Sequence, residues 1–225
     1  MKSDGPPAPA YLEDAPDRAT VDHGVALGAA ITAGGQSRRF GRDKALYAVQ
    51  GVPLLHRVAA SLEESAPKLL IAPAGRYALP GWTTRPDLRP GEGPLAGLET
   101  ALSVLAGAPA PQWLAFAAVD LPNLTVRYWR LLAGQIVGDS ARPVVRAVLG
   151  LDDRQRAQPL AGLYHVSLLP QVTALLDAGE RRMQALLEHL TPGEAQGTAG
   201  SLLVSSKRVE AVCPGAYLNL NTPPP

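Results

Sequence analysis

A short segment rich in glycine and basic residues is the part of this sequence best suited to chemistry. Residues 33–44 read AGGQSRRFGRDK, with three glycines and four cationic side chains. Glycines allow sharp turns and let backbone N–H groups approach phosphate oxygens, while the cations attract an anion. The whole chain carries a net charge of only +1, so this attraction is local. We interpret the segment as a site for a phosphate-containing ligand; a solvated, arginine-rich loop is the alternative.

A second glycine-rich segment, residues 91–96 (GEGPLA), matches the spacing of dinucleotide-binding loops. The preceding residues 84–90 (TRPDLRP) predict no strand, however, and Pro94 lacks the N–H that would face a pyrophosphate. The first segment is not a P-loop either, because Gly41 is followed by arginine and not by lysine and a hydroxyl residue. Neither common glycine motif fits, and residues 91–96 are interpreted as a loop that leads into a helix.

The elements that would position these residues alternate between strand and helix. Apolar runs at residues 25–32 and 113–119 are typical of buried parallel strands, and they end at the glycine segment and at Asp120. Further strands are predicted at residues 69–71, 143–149 and 159–164, and helices at 53–62, 94–105, 125–137, 167–176 and 180–190. This alternation predicts an α/β fold with three layers (α/β/α, Rossmann-like) and a mostly parallel sheet. Ligands bind such sheets at the carboxyl ends of the strands, where Ala33 and Asp120 both lie.

Composition limits the cellular setting and the partners of the chain. A single cysteine, Cys213, excludes an internal disulfide and a cysteine-based metal site, which fits a cytoplasmic protein. The apolar runs are far shorter than the ~20 residues of a membrane-spanning helix. The small net charge gives no reason to expect a membrane surface or nucleic acid as partner. Residues 1–23 are proline-rich without apolar periodicity, so we expect a disordered leader, followed by a single domain at residues 24–225.

Five segments together resemble the signature elements of one family. They are the glycine segment, GPLAG at residues 93–97, VDLP at 119–122, AGERR at 178–182 and NLNTP at 219–223. In this order they resemble the MobA-like nucleotidyltransferases, and the last two are similar to those of the molybdenum cofactor guanylyltransferases in particular. The resemblance covers residues 25–223. It implies the nucleotidyltransferase variant of the α/β fold and an enzyme that transfers GMP from GTP to the phosphate of Mo-molybdopterin, releasing pyrophosphate.

The resemblance also implies roles for individual residues. The nucleotide would be bound by Thr32, Ala33, Gly34, Gly35, Lys44, Asp87 and Asp120. Arg39, Lys44 and Asp120 would be catalytic: the two cations would stabilise the triphosphate and the departing pyrophosphate, and Asp120 would hold Mg²⁺. Molybdopterin would be bound by Arg182, Asn219 and Asn221.

Several of these assignments have structural alternatives. Lys44 could form a surface ion pair with Asp43, and Asp87 could be a turn residue. Asp120 could cap the following helix, although Thr125 is closer to that position. Residue 72 is alanine where the family often has asparagine, so part of the contact to the base or ribose must come from elsewhere.

Other functions are compatible with the same residues. They are a cytidylyltransferase for the same pterin, another MobA-like or sugar-1-phosphate nucleotidyltransferase, and a non-catalytic nucleotide-binding protein that carries a cofactor. As partners we expect GTP and Mo-molybdopterin, with transient contacts to molybdopterin-delivering proteins or apo-molybdoenzymes. We expect a monomer or a weak oligomer.

Overall fold

A computed structural model describes residues 25–34, 43–136, 145–190 and 200–219 of the chain. The strands are β1 (Leu27–Thr32), β2 (Ala48–Val49), β3 (Val52–Pro53), β4 (Lys68–Ile71), β5 (Thr83–Arg85), β6 (Trp113–Ala118), β7 (Val145–Leu151), β8 (Ala157–His165) and β9 (Gly200–Val204). The α-helices are α1 (Leu54–Ser61), α2 (Pro94–Ala106), α3 (Val126–Ala133), α4 (Leu169–Asp177), α5 (Met183–His189) and α6 (Ser206–Val212). Two short 3₁₀ helices span Lys44–Leu46 and Val166–Leu168.

Within the described ranges, seven strands form one sheet in the order β5-β4-β1-β6-β8-β7-β9, and β2 and β3 form a separate ribbon. Strand neighbours run parallel at β5–β4, β4–β1, β1–β6 and β7–β9. The exception among these strands is β8, which runs antiparallel to both β6 and β7. The mostly parallel sheet confirms the predicted α/β fold.

The register of the sheet brings several strand ends to one edge. Thr32, the last residue of β1, is aligned with Ile71 of β4 and with Ala118 of β6. The loops that follow these three strands therefore leave the sheet at the same edge. Because β8 is reversed and pairs with β6 from Ala161 onward, its earlier residue Leu160 lies at this edge as well.

Helices cover both faces of the sheet and give two hydrophobic cores. One core packs α1, α3 and α6 against the first face, with Val58 and Tyr128 fully buried. The other packs α2, α4 and α5 against the second face, around Phe116. Side chains along a strand alternate between the two, so that Ile31 belongs to the first core and Ala30 to the second. The predicted three layers are thus present.

The sequence missed elements at the borders of the sheet. The prediction that residues 84–90 contain no strand is wrong at its start, where β5 pairs with β4. β5 has only three residues, with side chains that are exposed or half-buried, so no apolar run marks it. β9 and α6 were not predicted either, and the helix expected over residues 125–137 already ends at Ala133. The expected leader at residues 1–23 lies outside the described part of the chain.

None of the helices in the described ranges has the length and apolar character that crossing a membrane requires.

Candidate active site

A cleft of about 910 Å³ opens at the edge where β1, β4 and β6 end. Its wall is formed by the ends of these strands, by the loop before α2, and by Leu160 of β8. It is lined by six of the residues to which the resemblance assigns a nucleotide: Thr32, Ala33, Gly34, Lys44, Asp87 and Asp120. The predicted residues Gly35, Arg39 and Asn221 lie outside the described residues.

Three side chains from distant parts of the chain meet beside the cleft, which two of them, Lys44 and Asp120, line. Lys44 Nζ lies 3.1 Å from Asp120 Oδ2 and 3.2 Å from Asn219 Oδ1, and Asn219 Nδ2 lies 2.9 Å from Asp120 Oδ2. The Asn219 amide must have this orientation, because an ammonium offers only donors and a carboxylate only acceptors. The side chains of Lys44 and Asp120 are 13% and 20% exposed, so this ion pair is less screened than one at the surface.

The two carboxylate oxygens of Asp120 have different surroundings. Oδ2 accepts both hydrogen bonds, whereas Oδ1 is buried and accepts none from the described residues. A buried carboxylate oxygen without a partner is unfavourable unless a cation or a donor meets it. This oxygen therefore fits a divalent cation. No group of three or more His, Cys, Asp or Glu in the described ranges could enclose a metal, so phosphate and water oxygens would complete the coordination.

Asp120 does not cap α3, and Lys44 is paired with Asp120 where the alternative had Asp43. The cap of α3 is Thr125, whose side chain accepts from the Tyr128 N–H. The ion pair of Asp43 is with Arg76 at 2.8 Å, and that of Lys44 is with Asp120.

The backbone directly after β1 belongs to the cleft wall, at Ala33 and Gly34. Ala33 N–H is bonded to the Ile71 carbonyl at 3.0 Å, which holds the chain at the edge of the sheet. A Cβ built on Gly34 would have no atom of the described residues within 4 Å, so these residues leave the surface open there. On the other side, a Cβ on Gly97 would lie 3.2 Å from Thr32 Oγ1. Glycine at residue 97 thus lets the first turn of α2 pack against the end of β1.

A partly buried network around Asp43 was not anticipated from the sequence. The Tyr77 hydroxyl lies 2.8 and 2.9 Å from the two carboxylate oxygens of Asp43, and Arg76 Nε and Nη2 donate to Oδ2 at 2.9 and 2.8 Å. Asp43 also accepts from Ala45 N–H at 3.1 Å and so caps the 3₁₀ helix that begins at Lys44. The position of Asp43 before a short helix was the available sequence signal; nothing marked Tyr77 or Arg76.

Asp87 is both a turn residue and part of the cleft wall. Its Oδ1 accepts from Arg89 N–H at 3.0 Å and from the Thr100 hydroxyl at 3.2 Å. Burial raises the pKa of Asp87 above its ordinary value; these two hydrogen bonds oppose the shift, and the Glu99 and Glu92 carboxylates add to it.

The arginine pair belongs to a loop that packs beside the start of α2. Arg181 Nη2 lies 3.0 Å from Glu92 Oε2, which joins this loop to residues 91–94. Arg182, 67% exposed, forms an ion pair with Glu180 at 2.6 Å. Hydrogen bonds from the Arg182 side chain and from the backbone of both arginines lower the pKa of Glu180 to about 2.

The wall beyond β4 is apolar where the family often has asparagine. Ala72, Pro73 and Ala74 lie there, and Pro86 and Pro90 face the same cleft. Such a surface can pack against the faces of a planar base, but it leaves recognition of the edge of the base to other groups.

Known proteins resemble this chain in sequence and in fold. A family model described as the MobA-like NTP transferase domain matches residues 29–195. The probable molybdenum cofactor guanylyltransferase of Deinococcus radiodurans is 56% identical over 158 residues, which cover 70% of this chain and 77% of that protein.

Two solved structures share the fold at lower sequence identity. The molybdopterin-guanine dinucleotide biosynthesis protein A of Archaeoglobus fulgidus has a TM-score of 0.64 at 21% identity, with 87% of this chain and 93% of that chain covered. The 2-C-methyl-D-erythritol 4-phosphate cytidylyltransferase of Thermus thermophilus has a TM-score of 0.53 at 17% identity, with 80% and 88% covered. At these identities the likeness shows the fold alone.

Proposed function

Because the chain belongs to the family of MobA-like NTP transferases, we propose that it is a molybdenum cofactor guanylyltransferase. It transfers GMP from GTP to the phosphate of Mo-molybdopterin and releases pyrophosphate. The observation that carries this assignment is the contact of Lys44 with Asp120 in a cleft whose lining includes the backbone at Ala33 and Gly34. The name of the relative that is 56% identical supports the choice of guanine as the base and of the molybdenum cofactor as the acceptor.

The reaction joins two anions, so the site has to supply positive charge and alignment. An oxygen of the acceptor phosphate attacks the α-phosphorus of GTP and forms a new P–O bond. The bond from the α-phosphorus to the bridging oxygen of the β-phosphate breaks, and pyrophosphate leaves with that electron pair. Lys44 acts as a compact charge at the phosphates, and the backbone at residues 33 and 34 contacts the nucleotide. Arg39 is proposed to assist Lys44.

Asp120 is the residue proposed to hold Mg²⁺, through the buried Oδ1 that no described donor meets. Bound there, the ion would neutralise phosphate charge and orient the nucleotide. Lys44 and Asn219 keep Oδ2 engaged and so fix the plane of the carboxylate. Asp87 and Gly35 are proposed to complete the nucleotide side of the cleft.

The acceptor side rests on Arg182, Asn219 and Asn221 as proposed molybdopterin contacts. Asn219 lies next to Asp120, so an acceptor bound by its amide would arrive beside the reacting phosphates. Arg182 would exchange its ion pair with Glu180 for the acceptor, which its exposure permits. We further propose that the enzyme works in the cytoplasm as a monomer or weak oligomer, with transient contacts to proteins that deliver molybdopterin or receive the product. Its single cysteine, which is free and buried, requires no oxidising compartment.

The direct test is transfer with purified protein, Mg²⁺ and molybdopterin, with GTP and CTP offered separately. We expect the guanine dinucleotide and one pyrophosphate per turnover with GTP. Product from CTP but not from GTP would make the protein a cytidylyltransferase, and nucleotide binding without pyrophosphate release would make it a carrier.

Replacing Asp120 tests the catalytic site itself. Asp120→Asn keeps the shape of the side chain but weakens the metal ligand, so we expect kcat to fall by about 10²–10³-fold. Asp153→Asn, an exposed aspartate in the turn between β7 and β8, is the matched control and should keep full activity. Pyrophosphate release measures activity, and binding of Mn²⁺ in the presence of GTP measures the metal site independently. An Asp120→Asn protein with normal turnover would contradict the assignment.

A further inference from the structure

The two ends of the glycine segment are joined by one phenol. Ala33 directly follows β1 and Asp43 directly precedes Lys44, and both residues line the cleft. The Tyr77 hydroxyl lies 2.8 Å from Asp43 Oδ1, 2.9 Å from Asp43 Oδ2 and 3.5 Å from the Ala33 carbonyl oxygen. A phenol has one proton, so the carboxylate is its main acceptor and the carbonyl at the longer distance is the second.

Tyr77 is well placed to act as a fixed point. Its side chain is only 8% exposed and belongs to the first hydrophobic core, together with Ala33 and Ala45. Burial and the neighbouring Asp43 raise the pKa of Tyr77, so its hydroxyl stays a neutral donor across the physiological range. The ring is thus held by packing while its hydroxyl faces the cleft wall.

The position of Asp43 determines that of Lys44. Asp43 Oδ1 accepts from Ala45 N–H, which fixes the backbone on both sides of Lys44. Oδ2 receives two further bonds from Arg76, the residue before Tyr77. From this backbone Lys44 reaches Asp120. A substitution at Tyr77 would therefore change the position of Lys44 through Asp43.

We propose that Tyr77 is a positioning residue for nucleotidyl transfer, which acts through Asp43 to hold Lys44 and the two ends of the glycine segment against the triphosphate. This inference rests on the proposed function. It assigns a role to the loop after β4, the same loop whose residues 72–74 form the apolar wall. One loop thus contributes both the apolar wall and, through Tyr77, the support of Asp43 and Lys44.

The substitution Tyr77→Phe tests this inference because it removes only the hydroxyl. Its expected effect is confined to the phosphates: the Kd for GTP rises about tenfold, as for the loss of one hydrogen bond to a charged group, while the Kd for GMP changes less than twofold. Calorimetric titration with GTP and with GMP gives both constants. If Tyr77 had only a structural role, the substitution would raise the Kd for GTP and the Kd for GMP by similar factors. Tyr164→Phe, which removes the hydroxyl of another buried tyrosine bonded to the Pro159 carbonyl, is the matched control and should change neither constant.

A double substitution tests whether the effect travels through Asp43. If it does, Tyr77→Phe combined with Asp43→Asn lowers kcat/KM for GTP no further than Asp43→Asn alone. Effects that multiply would overturn the inference. Should Tyr77→Phe fold poorly, Arg76→Gln removes two bonds to the same carboxylate from a side chain that is 34% exposed, and it should alter the ratio of GTP to GMP affinity in the same direction.

The two possible failures are distinguishable. A wild-type protein that does not prefer GTP to GMP contradicts the proposed function and this inference with it. A wild-type preference that a folded Tyr77→Phe protein retains in full contradicts this inference alone, and Arg76→Gln decides in its place where Tyr77→Phe does not fold.

Discussion

Three aspartates that line the cleft have different roles, which follow from their hydrogen-bond partners. Both oxygens of Asp43 are engaged by donors from the protein, so its carboxylate is a structural anchor. Asp120 has one engaged oxygen and one buried oxygen without a donor, which suits a metal ligand. Asp87 shares features of both. Its Oδ1 accepts two hydrogen bonds from the protein, as the oxygens of Asp43 do, and neither of these bonds reaches its other oxygen.

The raised pKa of Asp87 predicts a conflict between stability and function. A carboxyl group whose pKa is higher in the folded than in the unfolded state favours folding below its ordinary value of 3.8, and this contribution is lost as the pH rises through the folded value. At pH 7 the group is therefore unfavourable for folding. We expect Asp87→Asn to raise the midpoint of thermal unfolding at pH 7 by about 2 °C.

The same substitution should weaken GTP binding, because Asp87 is a proposed nucleotide contact in the cleft wall and the substitution replaces its carboxylate with an amide. Thermal unfolding followed by circular dichroism from pH 7 towards pH 4 gives the comparison with wild type, whose disadvantage should shrink as the pH falls. A difference that is independent of pH would argue against burial as its cause.

At the scale of elements, the segment after α6 is held against the sheet by two tyrosines. The Tyr128 hydroxyl donates to the Ala161 carbonyl, so the Tyr217 hydroxyl, 3.0 Å away, donates to Tyr128. Tyr217 also lies over Gly150 of β7, where a Cβ would come within 1.8 Å of its hydroxyl oxygen. Because Asn219 follows two residues later, this packing helps to direct the amide towards Asp120.

Gly150→Ala should therefore disturb the site from a distance. The added methyl group has to displace Tyr217, and we expect a loss of about 1–3 kcal/mol of unfolding free energy, together with a fall in kcat. Tyr217→Phe in the same chain removes the hydroxyl that the methyl group meets, and it should restore part of both. Urea unfolding and pyrophosphate release measure the two effects. If Tyr217→Phe restores nothing, the clash is not the cause.

Strong patterns could be predicted from the sequence, and short or distant relations could not. The apolar runs that become β1 and β6 are long enough to identify, and they place Ala33 and Asp120 at one edge of the sheet. β5 is a three-residue strand at the border of the sheet, where pairing with β4 and not composition determines the structure. The contact of Tyr77 with Asp43 joins residues 34 positions apart and belongs to no motif.

At the scale of the whole molecule, the domain is expected to work without the first residues of the chain. β1 begins at Leu27 and the family match begins at residue 29. We expect deletion of residues 1–23 to leave kcat/KM for GTP within about twofold of the full chain, since no residue of the proposed site is removed. Deletion of residues 1–30 is the matched control, because it removes more than half of a central strand, and it should abolish folding. Loss of activity on the shorter deletion would assign a function to these residues.

The contact of Lys44, Asp120 and Asn219 also has a consequence for the making of the protein. The three residues are separated by 76, 99 and 175 positions along the chain. No fragment that ends before Asn219 holds this contact, however well its sheet has formed. A growing chain therefore lacks this contact until Asn219 has left the ribosome. Synthesis through Asn219 is thus a condition for assembling this site.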